Sequence, residues 1–192
     1  MAYSLGNVDA LYNLGTLYEE GRPVSGSARN QEIETAIIYY KDGALQGCIK
    51  SQLRLGALLS EDSPIQDINA AKEYLLMAAT DNKKSKNLKD LSSLKLVGPT
   101  DKIQVEAQNL LGECYEIYSL CKSDLEEAAN WYLQASRSGH ARATFNLGNL
   151  YETGQGVAKD FKKALSLYQE AIIRGSAEAT FRMKELQELD LV

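Results

Sequence analysis

The amino-acid sequence predicts an all-α protein built from repeated pairs of helices. The first observation is a nine-residue stretch, with apolar residues at helical spacing, that occurs four times along the chain. The second is that a different helical motif follows each copy, so the repeating unit contains two helices. The third is that only three prolines occur among 192 residues, which leaves room for long helices.

The first helix of each pair carries the motif Ala-x-x-x-Leu-Gly-x-x-Tyr. The copies lie at residues 143–151 and 10–18 and, more loosely, at 107–115 and 51–59. At about 100° per residue, Ala10, Leu14, Leu17 and Tyr18 share one face of the helix. We therefore expect that face to pack against neighbouring helices.

The motif glycine stands inside this predicted helix, where glycine costs about 1 kcal/mol relative to alanine. Its four copies are Gly15, Gly56, Gly112 and Gly148. We expect close approach of the paired helix to compensate for this cost, because any side chain at that position would keep the two helices apart.

The second helix of each pair is marked by alanines that recur with a tyrosine or tryptophan. Its copies lie at residues 36–43, 71–78, 127–135 and 163–171. Capping side chains are expected four residues before the motif alanine, at Asp67, Asp124 and Asp160. Helix ends with left-handed backbone are expected at Gly47, Asn82, Gly139 and Gly175.

These signals predict one solenoid domain over residues 1–192. Its repeats span about 7–47, 48–82, 105–139 and 140–175, with a capping helix at 176–189 and a lysine-rich insert at 83–103. A shorter insertion falls around residues 21–30. The lysine-rich insert has two interpretations: a solvated loop or helix extension whose leucines dock locally, or a segment that contacts a partner or a lipid surface.

The sequence resembles Sel1-like repeats, which are relatives of tetratricopeptide repeats. The resemblance is carried by the first-helix motif, by the turn from Gly154 to Asp160 and by the second-helix motif of residues 163–171. It is strongest over residues 140–175 and weakest over 48–82. The resemblance implies a right-handed solenoid of antiparallel helix pairs that holds other proteins on its surfaces, and it implies a scaffold or adaptor without catalysis of its own.

Composition narrows the class of partner. The net charge of −5 argues against nucleic acid as the main ligand, because phosphate binding relies on a basic surface. Three cysteines, Cys48, Cys114 and Cys121, are too few and too unevenly placed for a disulfide framework, which favours a reducing compartment such as the cytoplasm. No apolar stretch approaches the roughly 18 residues of a membrane span.

The sequence shows no catalytic constellation, so we expect no enzyme, no cofactor and no metal site. There is no Ser, His and Asp arrangement at a known spacing and no zinc ligand set. His140, the only histidine, is expected to be an inter-repeat packing or surface residue. The Gly154 to Gly156 segment is interpreted as a turn between helices, since it lacks the strand and lysine of a phosphate loop.

In related solenoids the first helices line the inner, concave surface, which makes this side the predicted protein-binding face. The candidate residues are Asp9, Tyr12, Glu19, Glu20, Asn109, Glu113, Glu116, Arg142, Phe145, Asn149 and Glu152. Glu61 and Glu106 bring the acidic residues on this side to eight, against the two basic residues Lys50 and Arg142. An acidic face favours a basic or amphipathic partner segment. The alternative is that the charges serve solubility and that Tyr12 and Phe145 belong to the core.

Residues 2–6 resemble the end of a second helix whose beginning is missing. This pattern supports the hypothesis that the chain is a segment of a longer repeat protein. The alternative function is a regulatory or targeting repeat domain excised from a larger protein that carries an enzyme domain.

Overall fold

The computed structural model describes residues 8–20, 29–61, 65–80, 101–119 and 122–189. These residues form nine helices and no strand, so the all-α repeat prediction is confirmed. The chain divides into two compact units, one within residues 1–95 and the other within residues 96–192. The single domain over residues 1–192 stays a prediction.

The first unit contains two helix pairs. They are α1 (Val8–Glu19) with α2 (Arg29–Leu45), and α3 (Ile49–Ser60) with α4 (Ile68–Ala79). Each helix packs on the next one, and α1 also contacts α3. The core between them is made by residues such as Ala36, Tyr40, Leu55 and Ala71, which are fully enclosed.

The second unit contains two helix pairs and a ninth helix. They are α5 (Lys102–Ile117) with α6 (Lys122–Arg137), α7 (Ala141–Thr153) with α8 (Phe161–Ile173), and α9 (Ala177–Glu188). The first helices of successive repeats touch, since α5 contacts α7 and α7 contacts α9. Leu147, Leu150, Tyr132 and Tyr168 are enclosed at the centre of the packing.

The helix starts agree with the predicted caps at two of three positions. Asp67 accepts a hydrogen bond from the Ala70 N–H at 3.0 Å, and Asp160 accepts one from the Lys163 N–H at 3.0 Å. The prediction is wrong for Asp124, because α6 already begins at Lys122 and Asp124 lies inside its first turn. A carboxylate there is still favoured by the partial positive charge of the helix start.

The helix ends depend on left-handed backbone as predicted. Gly47, Gly139 and Gly175 have φ of 85°, 89° and 94°, a conformation that costs glycine little. Asn82 lies outside the described residues, as do the insertion at 21–28 and most of the lysine-rich insert. The end of that insert belongs to α5, since Asp101 caps the helix through the Ile103 N–H.

The predicted packed face is buried in three repeats and only partly buried in α1. Leu55, Leu111 and Leu147, which precede the motif glycine, are buried. In α1 the corresponding face is half open: Ala10 is exposed and Leu17 is 44% exposed. The reason is that these positions contact the preceding repeat, and no described helix precedes α1.

Candidate protein-binding face

The motif glycines bring each first helix against a large side chain of its partner helix, as predicted. A Cβ atom on Gly112 would lie 2.6 Å from the Tyr132 ring, and one on Gly148 would lie 2.6 Å from the Tyr168 ring. Gly15 meets Tyr40 in the same way. All three tyrosines are fully buried, so their rings fill the space that the missing side chains leave.

Each of these tyrosines donates its hydroxyl to a glutamate four residues after the motif glycine. The oxygen–oxygen distances are 2.7 Å from Tyr40 to Glu19 and 2.6 Å from Tyr132 to Glu116. Burial, followed by the hydrogen bond to the carboxylate, raises the pKa of Tyr40 well above its usual range, and the same causes raise that of Tyr132. The hydroxyls therefore remain protonated donors.

Two of these glutamates also bind an arginine from the first helix of the following repeat. In the first unit, Arg54 of α3 donates to Glu19 of α1 through Nε, at 2.9 Å, and through a terminal guanidinium nitrogen. We call the tyrosine, glutamate and arginine together a Tyr–Glu–Arg link. The side chain of Glu19 is only 16% exposed, so this predicted binding residue is largely used inside the fold.

The second unit contains the same link between α8, α7 and α9. Tyr168 donates to Glu152, and Arg182 donates to both oxygens of Glu152, with its Nε at 3.2 Å. Burial acts to raise the pKa of Glu152, but the hydrogen bonds from Arg182 and Tyr168 outweigh it and lower the pKa. Tyr168 also donates to Asn149 at 2.7 Å, which fixes that predicted binding residue.

Other predicted residues on the face form ion pairs between neighbouring first helices. In the first unit Lys50 lies 3.4 Å from Asp9, and in the second unit Arg142 lies 3.1 Å from Glu113. Asp9 and Arg142 stay largely exposed, whereas the Glu113 side chain is 19% exposed. Pairing thus neutralises much of the acidity that the sequence suggested.

The aromatic and amide positions of the face are partly or wholly internal. Tyr12 packs on Tyr40 with ring centroids 5.9 Å apart, and Phe145 packs on Tyr168 at 5.6 Å. Asn109 is fully buried and donates to Glu113 at 3.1 Å. Glu20 is exposed at the end of α1. The predicted face therefore contains both surface residues and residues that hold the repeats together.

His140 has a structural role, as expected. Its Nδ1 accepts the Ala143 N–H at 3.1 Å and so caps α7, which puts the ring proton on Nε2, 2.9 Å from Glu106. The hydrogen bond to His140 lowers the pKa of Glu106. Within the described ranges no group of three or more His, Cys, Asp or Glu residues could hold a metal ion.

Sequence reasoning missed the arginines of the Tyr–Glu–Arg links. Arg54 and Arg182 both stand two residues before the motif glycine position, which Lys184 occupies in α9. The available signal was the joint recurrence of arginine at this position and glutamate four residues after the glycine of the preceding repeat.

Comparison with known proteins matches this architecture. A family model described as the Sel1 repeat matches residues 8–48, 49–83, 105–140 and 141–176. None of the curated proteins compared with the chain is a match. Throughout the part of the chain that the structure describes, no helix is both long and apolar enough to cross a membrane.

Solved structures share the fold at low sequence identity. The protective antigen c5321 of uropathogenic Escherichia coli, described as displaying an SLR fold, is 24% identical with a TM-score of 0.73 over 97% of this chain and 34% of its own. An Oxalobacter formigenes Sel1 repeat protein is 23% identical, with a TM-score of 0.67 over 94% of this chain and 63% of its own. Helicobacter pylori cysteine rich protein B is 21% identical, with a TM-score of 0.51, over 83% and 97%. This chain therefore spans about a third of the length of the c5321 chain and less than two thirds of the length of the Oxalobacter formigenes protein.

Proposed function

The chain belongs to the Sel1 repeat family, and from this premise we propose that it is a non-enzymatic scaffold or adaptor. It binds a partner protein or peptide on the side formed by its first helices. Sel1 repeat proteins are generally protein-interaction repeats without catalysis of their own. The four matched repeats are the observation that carries the proposal.

The contacts between the first helices support a binding role. In each unit the first helices are joined to one another by ion pairs and by a Tyr–Glu–Arg link, so their side chains are held in fixed positions. A surface whose side chains are already ordered loses less conformational entropy when a partner binds. This supports recognition of a partner on the face of the repeats.

The preferred partner is a basic or amphipathic segment that binds the second unit. There Glu116 has no ion pair with any described residue, and the neighbouring Ile117 is 70% exposed. A half-buried carboxylate without an ion pair, followed on the helix by an exposed apolar residue, suits a segment that contains both a cation and an apolar residue. We place the protein in the cytoplasm, which is consistent with the free, buried thiol of Cys48.

The test is binding of the partner protein identified by affinity purification and mass spectrometry. Glu116→Lys is expected to weaken the affinity of the purified partner at least tenfold, about 1.4 kcal/mol, and added salt is expected to weaken the wild-type complex. Glu127→Lys makes the same charge change on the exposed side of α6 and should leave affinity within about twofold of wild type. Equal affinity of Glu116→Lys and wild type would contradict the placement of the partner at Glu116 of the second unit.

A second candidate is a regulatory or targeting repeat domain of a larger protein with an enzyme domain. The observation that favours it is that the chain spans only 34% of the c5321 chain, so repeats of this kind occur within longer chains. The mass of the endogenous polypeptide, measured after immunoprecipitation, distinguishes the two. A mass matching 192 residues would exclude this candidate.

A further inference from the structure

In two repeats, the glutamate four residues after the motif glycine accepts hydrogen bonds from the same two residue types, a tyrosine and an arginine. Glu19 accepts from Tyr40 and from Arg54, and Glu152 accepts from Tyr168 and from Arg182. In each case the guanidinium approaches through Nε and a terminal nitrogen and reaches both carboxylate oxygens. This two-point geometry is specific to arginine, since the lysine ammonium is a single point charge.

The repeat made by α5 and α6 has the same glutamate and tyrosine without the arginine. Glu116 accepts from Tyr132 through Oε2 at 2.6 Å. The position that Arg54 and Arg182 occupy in the other repeats, two residues before the motif glycine of the next first helix, is Asn146. Asn146 is half-buried and has no hydrogen bond with any residue that the structure describes. Glu116 therefore has the tyrosine of a Tyr–Glu–Arg link but not the arginine.

The arginine of the neighbouring first helix α7 does not replace the missing arginine, because it pairs with another glutamate. Arg142, one turn before Asn146, is engaged by Glu113 at 3.1 Å. Asn109 stands where Tyr12 and Phe145 stand in other repeats, and its buried Oδ1 has no hydrogen-bond partner. Glu116 is thus a carboxylate without an ion pair to any described residue, whereas Glu19 and Glu152 are each paired with an arginine.

We propose that Glu116 is an arginine-binding site, in which an arginine from a partner segment completes the Tyr–Glu–Arg link. The inference rests on the proposed function and names the chemistry of its partner. The exposed Ile117 next to Glu116 calls for an apolar residue beside that arginine. The occupant is therefore a short segment with an arginine adjacent to a large apolar residue, and a lysine in its place binds more weakly.

A substitution in this chain can supply the missing arginine and so test the site. Asn146→Arg supplies the guanidinium from the position used by Arg54 and Arg182, so it should occupy Glu116 and block the partner arginine. Glu116→Gln removes the charge but keeps an oxygen that can accept from Tyr132, so the fold is retained. Gln169→Arg adds an arginine to the exposed side of α8 and serves as the matched control.

The probe is a random nonapeptide library displayed on phage and selected on the full 192-residue chain. Enriched sequences are expected to contain arginine next to leucine, isoleucine, valine or phenylalanine. The dissociation constant of an enriched synthetic peptide should rise at least tenfold with Asn146→Arg and with Glu116→Gln, and should stay within about twofold with Gln169→Arg. Replacing the peptide's arginine by citrulline, a neutral isostere, should have the same effect as the two variants.

The outcomes separate this inference from the proposed function. Enriched peptides that lack arginine, or that bind Asn146→Arg and wild type equally, overturn the arginine site and leave the binding role standing. A selection that yields no peptide above a chain of unrelated fold overturns both. A higher melting temperature of Asn146→Arg in the absence of peptide is expected, and a lower one would show that the guanidinium does not reach Glu116.

Discussion

Single contacts between a motif glycine and a tyrosine ring set how closely the helices of a repeat approach. The Tyr168 ring lies over Gly148 and is held at its hydroxyl by Asn149 and Glu152. A ring that is buried and hydrogen-bonded at its far end has little freedom to move aside. The cost of glycine in the helix is therefore compensated by packing that no other residue allows.

Gly148→Ala is expected to destabilise the protein although alanine is the better helix former. Overpacking costs about 1–3 kcal/mol, whereas the gain in helix propensity is about 1 kcal/mol. Urea unfolding should therefore give a lower free energy of unfolding. The control is Lys184→Ala at the equivalent position of α9, where the side chain is exposed. It should change the free energy of unfolding by less than about 0.5 kcal/mol. A stabilised Gly148→Ala would show that the ring does not limit the approach.

The lowered pKa of Glu152 predicts a dependence of stability on pH. Because the folded pKa lies below the unfolded value of about 4.3, this stabilisation is fully present above that value and is lost as pH falls through the folded pKa. The neutral variant Glu152→Gln should differ most from wild type in free energy of unfolding above about pH 5, and the difference should shrink in acid. The control is Glu188→Gln at an exposed position, which measures the effect on stability of removing a surface charge that has no such hydrogen bonds to the described residues. A difference that is independent of pH would contradict the assignment.

Residue-level chemistry explains what could be predicted at the site and what could not. The glycine contacts were predictable because glycine inside a helix signals close packing whatever surrounds it. The use of Glu19 and Glu152 inside the fold was not, since a helical wheel places a carboxylate on a side without showing that an arginine of the next repeat reaches it. Pairing between repeats depends on three-dimensional register, which one helix does not contain.

Helices begin and end at positions that the sequence marks with capping residues. Asp67 and Asp160 each accept the N–H three residues ahead, and glycines with positive φ end α2, α6 and α8. These rules act within a few residues and are therefore visible in the sequence. The exposed face of α1 was not predictable in this way, because burial there depends on whether another repeat covers it.

Asp160→Ala is expected to lower the free energy of unfolding by about 0.5–2 kcal/mol, since the first turn of α8 loses its side-chain acceptor. The control is Lys162→Ala in the same turn, whose exposed side chain leaves the cap intact. Chemical unfolding monitored by circular dichroism measures both. Equal effects of the two substitutions would show that the cap does not stabilise α8.

The whole chain is organised as two compact units of Sel1 repeats, and in each the first helices are joined along one side. Repeat proteins of this kind are stabilised by nearest-neighbour contacts, so a repeat can lose one internal link without losing its fold. The incomplete link at Glu116 is such a case, and it gives the second unit a carboxylate available to a partner.

The most direct test of this account is hydrogen–deuterium exchange of the 192-residue chain with and without its co-purified partner protein. We predict that binding slows exchange in α5 and α7, the first helices of the second unit, more than in α6 and α8. Protection that is confined to α6 and α8, or its absence throughout the second unit at saturating partner, would contradict the claim that the first-helix side is the binding face.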